Sequence, residues 1–281
     1  MANAPQILLP ELHESQATGR IAEIYAEIRL FSGVAYVSSL QRYVATLPGV
    51  LDWAWTALRP AMASGVIPET GWRLAREISL PPAQTVAPDT LRRWGIDNEA
   101  LRAIRNVSAN FVRVSPVNLV MGACLRCVLS GSAPSGAGYA QRWAPPAPLP
   151  PMPGNVDPLA LPDNQRAVLT RFAADMDGTP FIPALYRQLA HWPPVLAWLA
   201  DELAPRFGAP ETAAMRAAMQ SAARRVAPDI VACLPGLPSG APPDTEMTRR
   251  VLAAIEGYAV TSPEMAAFGQ LLLDALPSRR S

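Results

Sequence analysis

The sequence predicts an all-α protein made by tandem duplication of a helical unit, its two copies packed as an internal dimer about a pseudo-two-fold axis. Three observations carry that expectation. Apolar residues recur at helical spacing, no convincing alternating strand is present, and segments 33–60 and 178–205 align without a gap. The chain of 281 residues is long enough for one large domain or two small ones.

Taken in chain order, Ile21, Ile24, Tyr25 and Ile28 follow the i, i+3, i+4, i+7 rule of an amphipathic helix. Segment 33–60 reads GVAYVSSLQRYVATLPGVLDWAWTALRP, and segment 178–205 reads GTPFIPALYRQLAHWPPVLAWLADELAP. Identical pairs include Gly33/Gly178, Leu40/Leu185, Arg42/Arg187, Pro48/Pro193, Trp53/Trp198 and Pro60/Pro205; Tyr36/Phe181 match in kind. Leu47-Pro48 and Trp192-Pro193 each close one helix and open another, because proline is tolerated in a first turn but not in an interior. A further helix is expected at Pro68-Glu69-Thr70, with its counterpart at Pro210-Glu211-Thr212. Val168, Leu169, Phe172 and Met176 give the second unit a helix like that of the first. Each unit should end in a long apolar helix, 116–129 and 263–276, opened by Ser115-Pro116 and Ser262-Pro263 with serine as the cap. The stretch between the units is too rich in Pro and Gly for a helix or strand and reads as an extended surface linker. The expected division is 1–132 for the first repeat, 133–160 for the linker and 161–281 for the second repeat.

Composition narrows the function. All 24 basic residues are arginine, so a Schiff-base lysine and the lysine of a phosphate-gripping P-loop are both excluded. Only His13 and His191 are present, which excludes a three-histidine zinc site; no metal is expected. Net charge is +1 without a basic cluster, so nucleic acid is not an expected partner. No run of 18 or more apolar residues and no secretion signal are visible, so no membrane partner is expected. Three cysteines are too few and odd in number for a disulfide scaffold, and a reducing cytoplasm is the expected location. A small molecule is the expected partner, with a second copy of the chain as a further one. Clefts between paired halves are favoured ligand sites.

The opening Leu9-Pro10-Glu11 followed by the segment 17–29, ATGRIAEIYAEIR, resembles the start of the group I 2-haloacid dehalogenases. Ala45-Thr46-Leu47-Pro48-Gly49 and the Trp192-Pro193 turn share that resemblance, which covers nearly the whole chain. It implies an all-helical pseudo-dimer with the active site between the halves and no cofactor. In that family an aspartate activates a water that displaces halide at C2 of a 2-haloacid, and an asparagine helps to hold the water. Counted without a gap from Trp192-Pro193, the aspartate position falls on Leu185, and the asparagine position falls on Ser115. Neither residue is a general base, so true dehalogenation is not expected of this chain. The helical unit also resembles the alkylhydroperoxidase and carboxymuconolactone decarboxylase group, whose redox members use a C-x-x-C pair.

The resulting candidates are few. Tyr36, Ser39, Ser115, Phe181, Ala184 and Leu185 are expected around a substrate pocket, although Ser115 is equally explained by helix capping and the aromatics by core packing. Arg42 and Arg187 are candidates to seat a substrate carboxylate, or to form salt bridges within each unit. Cys124 and Cys127 lie one helical turn apart as a redox pair or as packed core thiols. His191 is expected to cap or to lie at the surface, Trp53 and Trp198 to join the core, and Glu23 and Glu27 to form a solvated face. The expected function is a cofactor-free enzyme of haloacid dehalogenase-like fold acting on a small, carboxylate-bearing molecule. The alternatives are a thiol-dependent peroxidase or decarboxylase-like protein and a non-catalytic small-molecule binder.

Overall fold

The computed structural model describes residues 10–136, 138–139, 143–176 and 179–278. Asp177 and Gly178, the latter being the expected repeat partner of Gly33, lie outside the described residues. In chain order the helices are α1 Gly19–Ser32, α2 Ser39–Val44, α3 Val50–Ala63, α4 Val66–Ala75, α5 Pro88–Arg93, α6 Asn98–Leu129, α7 Asp163–Thr170, α8 Ala184–Leu189, α9 Pro193–Glu202, α10 Pro210–Ala232 and α11 Thr245–Ala275. A hairpin of two three-residue strands, β1 Ala174–Met176 and β2 Thr179–Phe181, is the sheet structure among the described residues. The fold class is all-α.

The two longest helices form the axis of the molecule: α6 and α11 pack on each other more extensively than any other two elements. Both are capped by aspartate. Asp97 accepts from the Ala100 amide at 2.8 Å, and Asp244 from the Met247 amide at 2.7 Å, each satisfying a donor that the first turn leaves free. This corrects the expected starts at Pro116 and Pro263, since both prolines lie inside continuous helices and neither Ser115 nor Ser262 is a cap. Proline removes one N–H from the ladder, and the neighbours compensate. The Ala259 carbonyl, which Pro263 cannot serve, accepts from Gln220 Nε2 at 2.8 Å. At Pro116 the backbone of α4 comes close: a Cβ on Gly71 would lie 2.7 Å from the Pro116 carbonyl, so only glycine fits there.

Around this pair the core is continuous. Ile24, Ile28, Val37, Leu58, Ile67, Ile104, Val117, Val120, Leu189, Val195 and Val251 are all almost wholly buried. Each such side chain stabilises the fold by ~1.5–3 kcal/mol through burial. Aromatic packing closes the second half, where Phe172 stacks on Tyr186 at 4.1 Å and Phe207 meets Phe268 edge-on at 5.1 Å. Trp53 and Trp198 pack against the core but are only half-buried. By length and composition α6 could cross a bilayer, yet 72% of its most apolar stretch is buried inside the fold. The sequence still has no uninterrupted apolar run of that length: apolar residues interrupted by Ser, Asn and Arg average to a hydrophobic helix that the fold itself covers.

The periodicity that predicted a helix through Met176 stops short. Helix α7 ends at Thr170, and the chain turns into β1, paired in antiparallel register Ala174↔Phe181 and Asp175↔Pro180. Pro180 keeps the backbone before it extended and cannot donate to a helical ladder, which suits the second strand. By contrast, α1 runs on to Ser32 and is closed by Gly33 in the left-handed region, φ 61°.

The Pro-rich segment is strapped to the surface by specific bonds. Arg113 donates to the carbonyls of Gly33 and Ala147. Asn110 donates to the Pro150 carbonyl, and Tyr139 OH to that of Ile230. Trp143 packs against Trp72 and donates to Glu69 at 2.9 Å; a Cβ at Gly65 would strike its ring. His191 reaches the Gly154 carbonyl at 2.9 Å, so it clasps the linker.

Candidate functional site

Helices α2 and α8 are short, and every residue in both is buried. Each carries an arginine. Arg42 on α2 lies 2.8 Å from the Glu11 carboxylate, and Arg187 on α8 lies 4.0 Å from its other oxygen. The Glu11 side chain is 5% exposed. The two expected carboxylate binders thus share a carboxylate that the protein itself supplies, and two guanidinium groups face one acid. Arginine remains charged under any ordinary condition, so among the buried groups positive charge exceeds negative, while Glu14 and Asp157 act on Arg42 and Arg187 from less buried positions. Burial works against the Arg42 charge, but Tyr36 and Glu11 outweigh it and raise its pKa; for Arg187 burial dominates and lowers it. The geometry agrees, since Arg187 is farther from Glu11 and spends its Nε on the Val156 carbonyl at 3.2 Å.

Arg42 connects this cluster to a cavity. Its Nη2 donates to Tyr36 OH and to Ser39 Oγ, both at 3.2 Å, and its guanidinium lies over the Tyr36 ring. Tyr36 and Ser39 line a pocket whose other walls are Ser38, Phe111, Val114, Ser115, Asn118, Phe181, Ala184, Tyr258, Ser262 and Met265. Every one of these residues is buried. The free space is small, about that of one water molecule. Tyr36 tilts against Phe111 at 5.2 Å, and Phe181 meets Tyr258 edge-on at 5.3 Å, so aromatics close two sides. The hairpin is what delivers Phe181 to that wall.

The pocket is rich in hydroxyls and poor in acids. Ser115 Oγ is buried without a hydrogen-bond partner, a costly state that a bound ligand or water would relieve, and Tyr258 OH is buried beside Ser39. Burial raises the pKa of Tyr36 and, further, of Tyr258, so both remain protonated donors. Asn118 Oδ1 accepts from Gln41 Nε2 at 3.1 Å, while Gln41 Oε1 accepts from Ser38 Oγ. That fixes the amide orientation and leaves Asn118 Nδ2 as a donor. No Asp or Glu lines the pocket among the described residues.

Of the six residues expected around a pocket, Tyr36, Ser39, Ser115, Phe181 and Ala184 are brought together. Leu185 is not among the lining residues; it is 1% exposed and packs in the core. Asp175 is on the exposed face of the hairpin; Asp177 is outside the described residues. Glu27 is no solvated residue either. It accepts from Trp55 Nε1 at 2.7 Å and from Arg59, and the Arg59 bond chiefly holds its carboxyl below the usual range. Glu23 is exposed and pairs with Arg20. Cys124 is fully buried and Cys127 partly so, unbridged, with burial pushing both thiols up. Sequence reasoning missed Glu11, Asn118 and Tyr258 as site residues. Only Glu11 had a signal, as a lone acid in a motif otherwise read for resemblance.

No protein-family model matches the chain, and no curated protein matches it. Solved structures do. The fold is similar to that of a D-2-haloacid dehalogenase mutant in complex with D-2-CPA, at TM-score 0.71 and 20% identity over 95% of this chain and 97% of that one. A D-2-haloacid dehalogenase mutant structure gives TM-score 0.72 at 20% identity, covering 97% of both chains. A complex of a D-2-haloacid dehalogenase with L-LA gives TM-score 0.72 at 19% identity, again over 97% of both. The chain has a haloacid dehalogenase-like fold along its full length.

Proposed function

We propose that the chain is a cofactor-free enzyme of haloacid dehalogenase-like fold that takes a small carboxylate-bearing molecule into the hydroxyl-lined pocket, whose walls move apart to admit more than the single water the free space now fits. One observation carries the reading. Arg42 donates to Tyr36 OH and Ser39 Oγ, and the two hydroxyls bond each other at 3.5 Å, so one of their two protons is left to point elsewhere. Hydroxyl donors backed by an excess of buried positive charge are suited to an anion. The fold likeness to proteins solved with D-2-CPA and L-LA agrees with this substrate class.

Halide displacement is not part of the proposal. A water attacking C2 needs a proton acceptor within hydrogen-bond reach, and the pocket wall offers none among the described residues. That same observation favours a second reading, a non-catalytic binder that kept the cleft. The thiol-dependent alternative has no observation in its favour, since a buried, proton-retaining thiol is a poor nucleophile. We also propose that the chain is a duplication with units 1–132 and 161–281 joined by 133–160. The parallel series α2/α8, α3/α9 and α6/α11 supports it. A cytoplasmic location belongs to the same proposal.

Titration calorimetry with both enantiomers of 2-chloropropionate and of lactate tests the ligand class, and halide release tests the chemistry. Saturable carboxylate binding that Ser39→Ala weakens supports the pocket. Absence of binding to all four overturns it. Rapid halide release by the unmodified protein would show that a base has been overlooked.

A further inference from the structure

We infer that the pocket is entered from a second cavity between α6, α10 and α11, and that the Arg126–Glu256–Arg224 cluster at its mouth admits small anions in preference to neutral molecules. Every wall residue of the inner pocket is buried, so a ligand must reach it through a neighbouring space. The second cavity supplies one. It shares Asn118, Tyr258 and Ser262 with the inner pocket, as a common partition. Its outer wall carries Arg126, Arg224 and Glu256, with side chains 43%, 54% and 44% exposed. The cavity therefore runs from solvent to the partition.

The mouth repeats the charge ratio of the interior. Glu256 bridges two arginines, pairing with Arg126 through one oxygen and with Arg224 at 2.9 Å through the other. The cluster spans the gap between α6, α10 and α11, so those pairs must loosen when something passes. One acid against two guanidinium groups leaves a positive excess at the entrance, as Glu11 does between Arg42 and Arg187. An anion thus meets a positive entrance and a positive interior, and such a funnel raises the local concentration of anions. Gly122, Ala123, Ala223 and Ala259 are the small residues of its wall, where the least side-chain movement widens a space that now fits only about a water or two. This inference deepens the carboxylate reading and rests on it for the ligand class, yet its test needs no substrate.

The test compares alkylation by iodoacetate and iodoacetamide, two small reagents that differ chiefly in charge, at a thiol introduced by Ser115→Cys. Native Cys233 is exposed and serves as the internal reference; peptide mass spectrometry reads each site separately. The ratio of the two rates at the introduced thiol, normalised to that at Cys233, cancels the thiolate fraction at each site. Arg224→Gln should lower this ratio about three-fold and Glu256→Gln should raise it about three-fold, as expected for one unit charge several Å away in a wet entrance. Half-molar salt should collapse both differences. Ala259→Leu, which narrows the passage, should slow both reagents together. Ratios unmoved by either charge variant would overturn the anion preference. Unchanged rates in Ala259→Leu would overturn the route, as would a lack of alkylation at both Ser115→Cys and Asn118→Cys at a pH high enough to ionise a buried thiol, in protein that melts as the native does. Failure of carboxylates to bind, with these shifts present, would overturn only the proposed function.

Discussion

Helices α2 and α8 present a like arrangement with different surfaces. Each is six residues long, wholly buried, and carries its arginine at the fourth position, directed at the one Glu11. Around α2 the pocket wall is polar, with Tyr36, Ser38 and Ser39 all bearing hydroxyls. Around α8 it is apolar, with Phe181 and Ala184 in the corresponding places. The arginines differ in the same sense. Arg42 feeds the pocket hydroxyls, whereas Arg187 holds the linker through Val156. A shared frame therefore produces one ligand-facing side and one bracing side, and the difference lies in a few side chains rather than in the backbone.

The comparison breaks most sharply at adjacent positions of α8. Leu185→Asp places a charge in the core, and we expect a loss of about 5 kcal/mol, combining lost packing with an unpaired buried acid. Ala184→Asp puts the same acid on the pocket wall, where hydroxyls and the arginine excess can receive it, and should cost markedly less. Chemical denaturation measures both. Any gain of halide release from 2-chloropropionate should belong to Ala184→Asp alone; release by Leu185→Asp would overturn the placement of these residues.

Next in size is the arginine pair. Arg42→Ala leaves Glu11 without its 2.8 Å partner and should destabilise by about 3–5 kcal/mol, as removal of one member of a buried ion pair does. Arg187→Ala, with Glu11 at 4.0 Å, should cost about half as much. Equal losses in a denaturant titration would erase the distinction between the two sides. Smaller again is the effect of the wall hydroxyls. Ser39→Ala and Tyr36→Phe should each weaken carboxylate binding about ten-fold with little change in melting temperature, while Phe181→Tyr on the bracing side should leave affinity within about two-fold. Calorimetry distinguishes these outcomes.

The smallest effect concerns the exposed frame outside the site. In the folded protein the Glu27 carboxyl is held below its usual pKa, chiefly by Arg59. Its contribution is therefore present above the unfolded carboxylate range and lost as pH falls through the folded value. Glu27→Gln should cost about 1 kcal/mol at pH 7, a figure already reduced because Arg59 is nearly half exposed. The difference from the native protein should vanish toward pH 3. A melting difference that stays constant across that range would assign the effect to packing on Trp55 instead.

Much of the architecture was legible in the residues. The period of Ile21, Ile24, Tyr25 and Ile28 marked α1, and the prolines at 48, 193 and 210 marked the helix junctions, because both signals are local. Local signals misled where long-range contacts override them. Ser115-Pro116 has the chemistry of a helix start, yet Gly71 of α4 packs against that backbone and the helix continues through it. Met176 keeps helical spacing with Phe172, but it pairs with Thr179 in a hairpin instead. Five of the six expected pocket residues did converge, because the aligned segments 33–60 and 178–205 carry most of them. Leu185 did not, since a one-residue change of position on a helix rotates a side chain by ~100° and exchanges wall for core.

What the sequence by itself determined is the set of helices, their apolar faces and the chemical poverty of the chain: no lysine, two histidines and a few candidate hydroxyls. Those follow from residue type and spacing, which act within a few turns. Only the tertiary structure decided that Glu11, Arg42 and Arg187 meet, that Asn118 and Tyr258 face Ser39, and that Arg126 and Arg224 share Glu256. Each of these meetings joins residues from separate helices or segments. Their distances are set by how α6 and α11 pack, and no local rule contains that geometry.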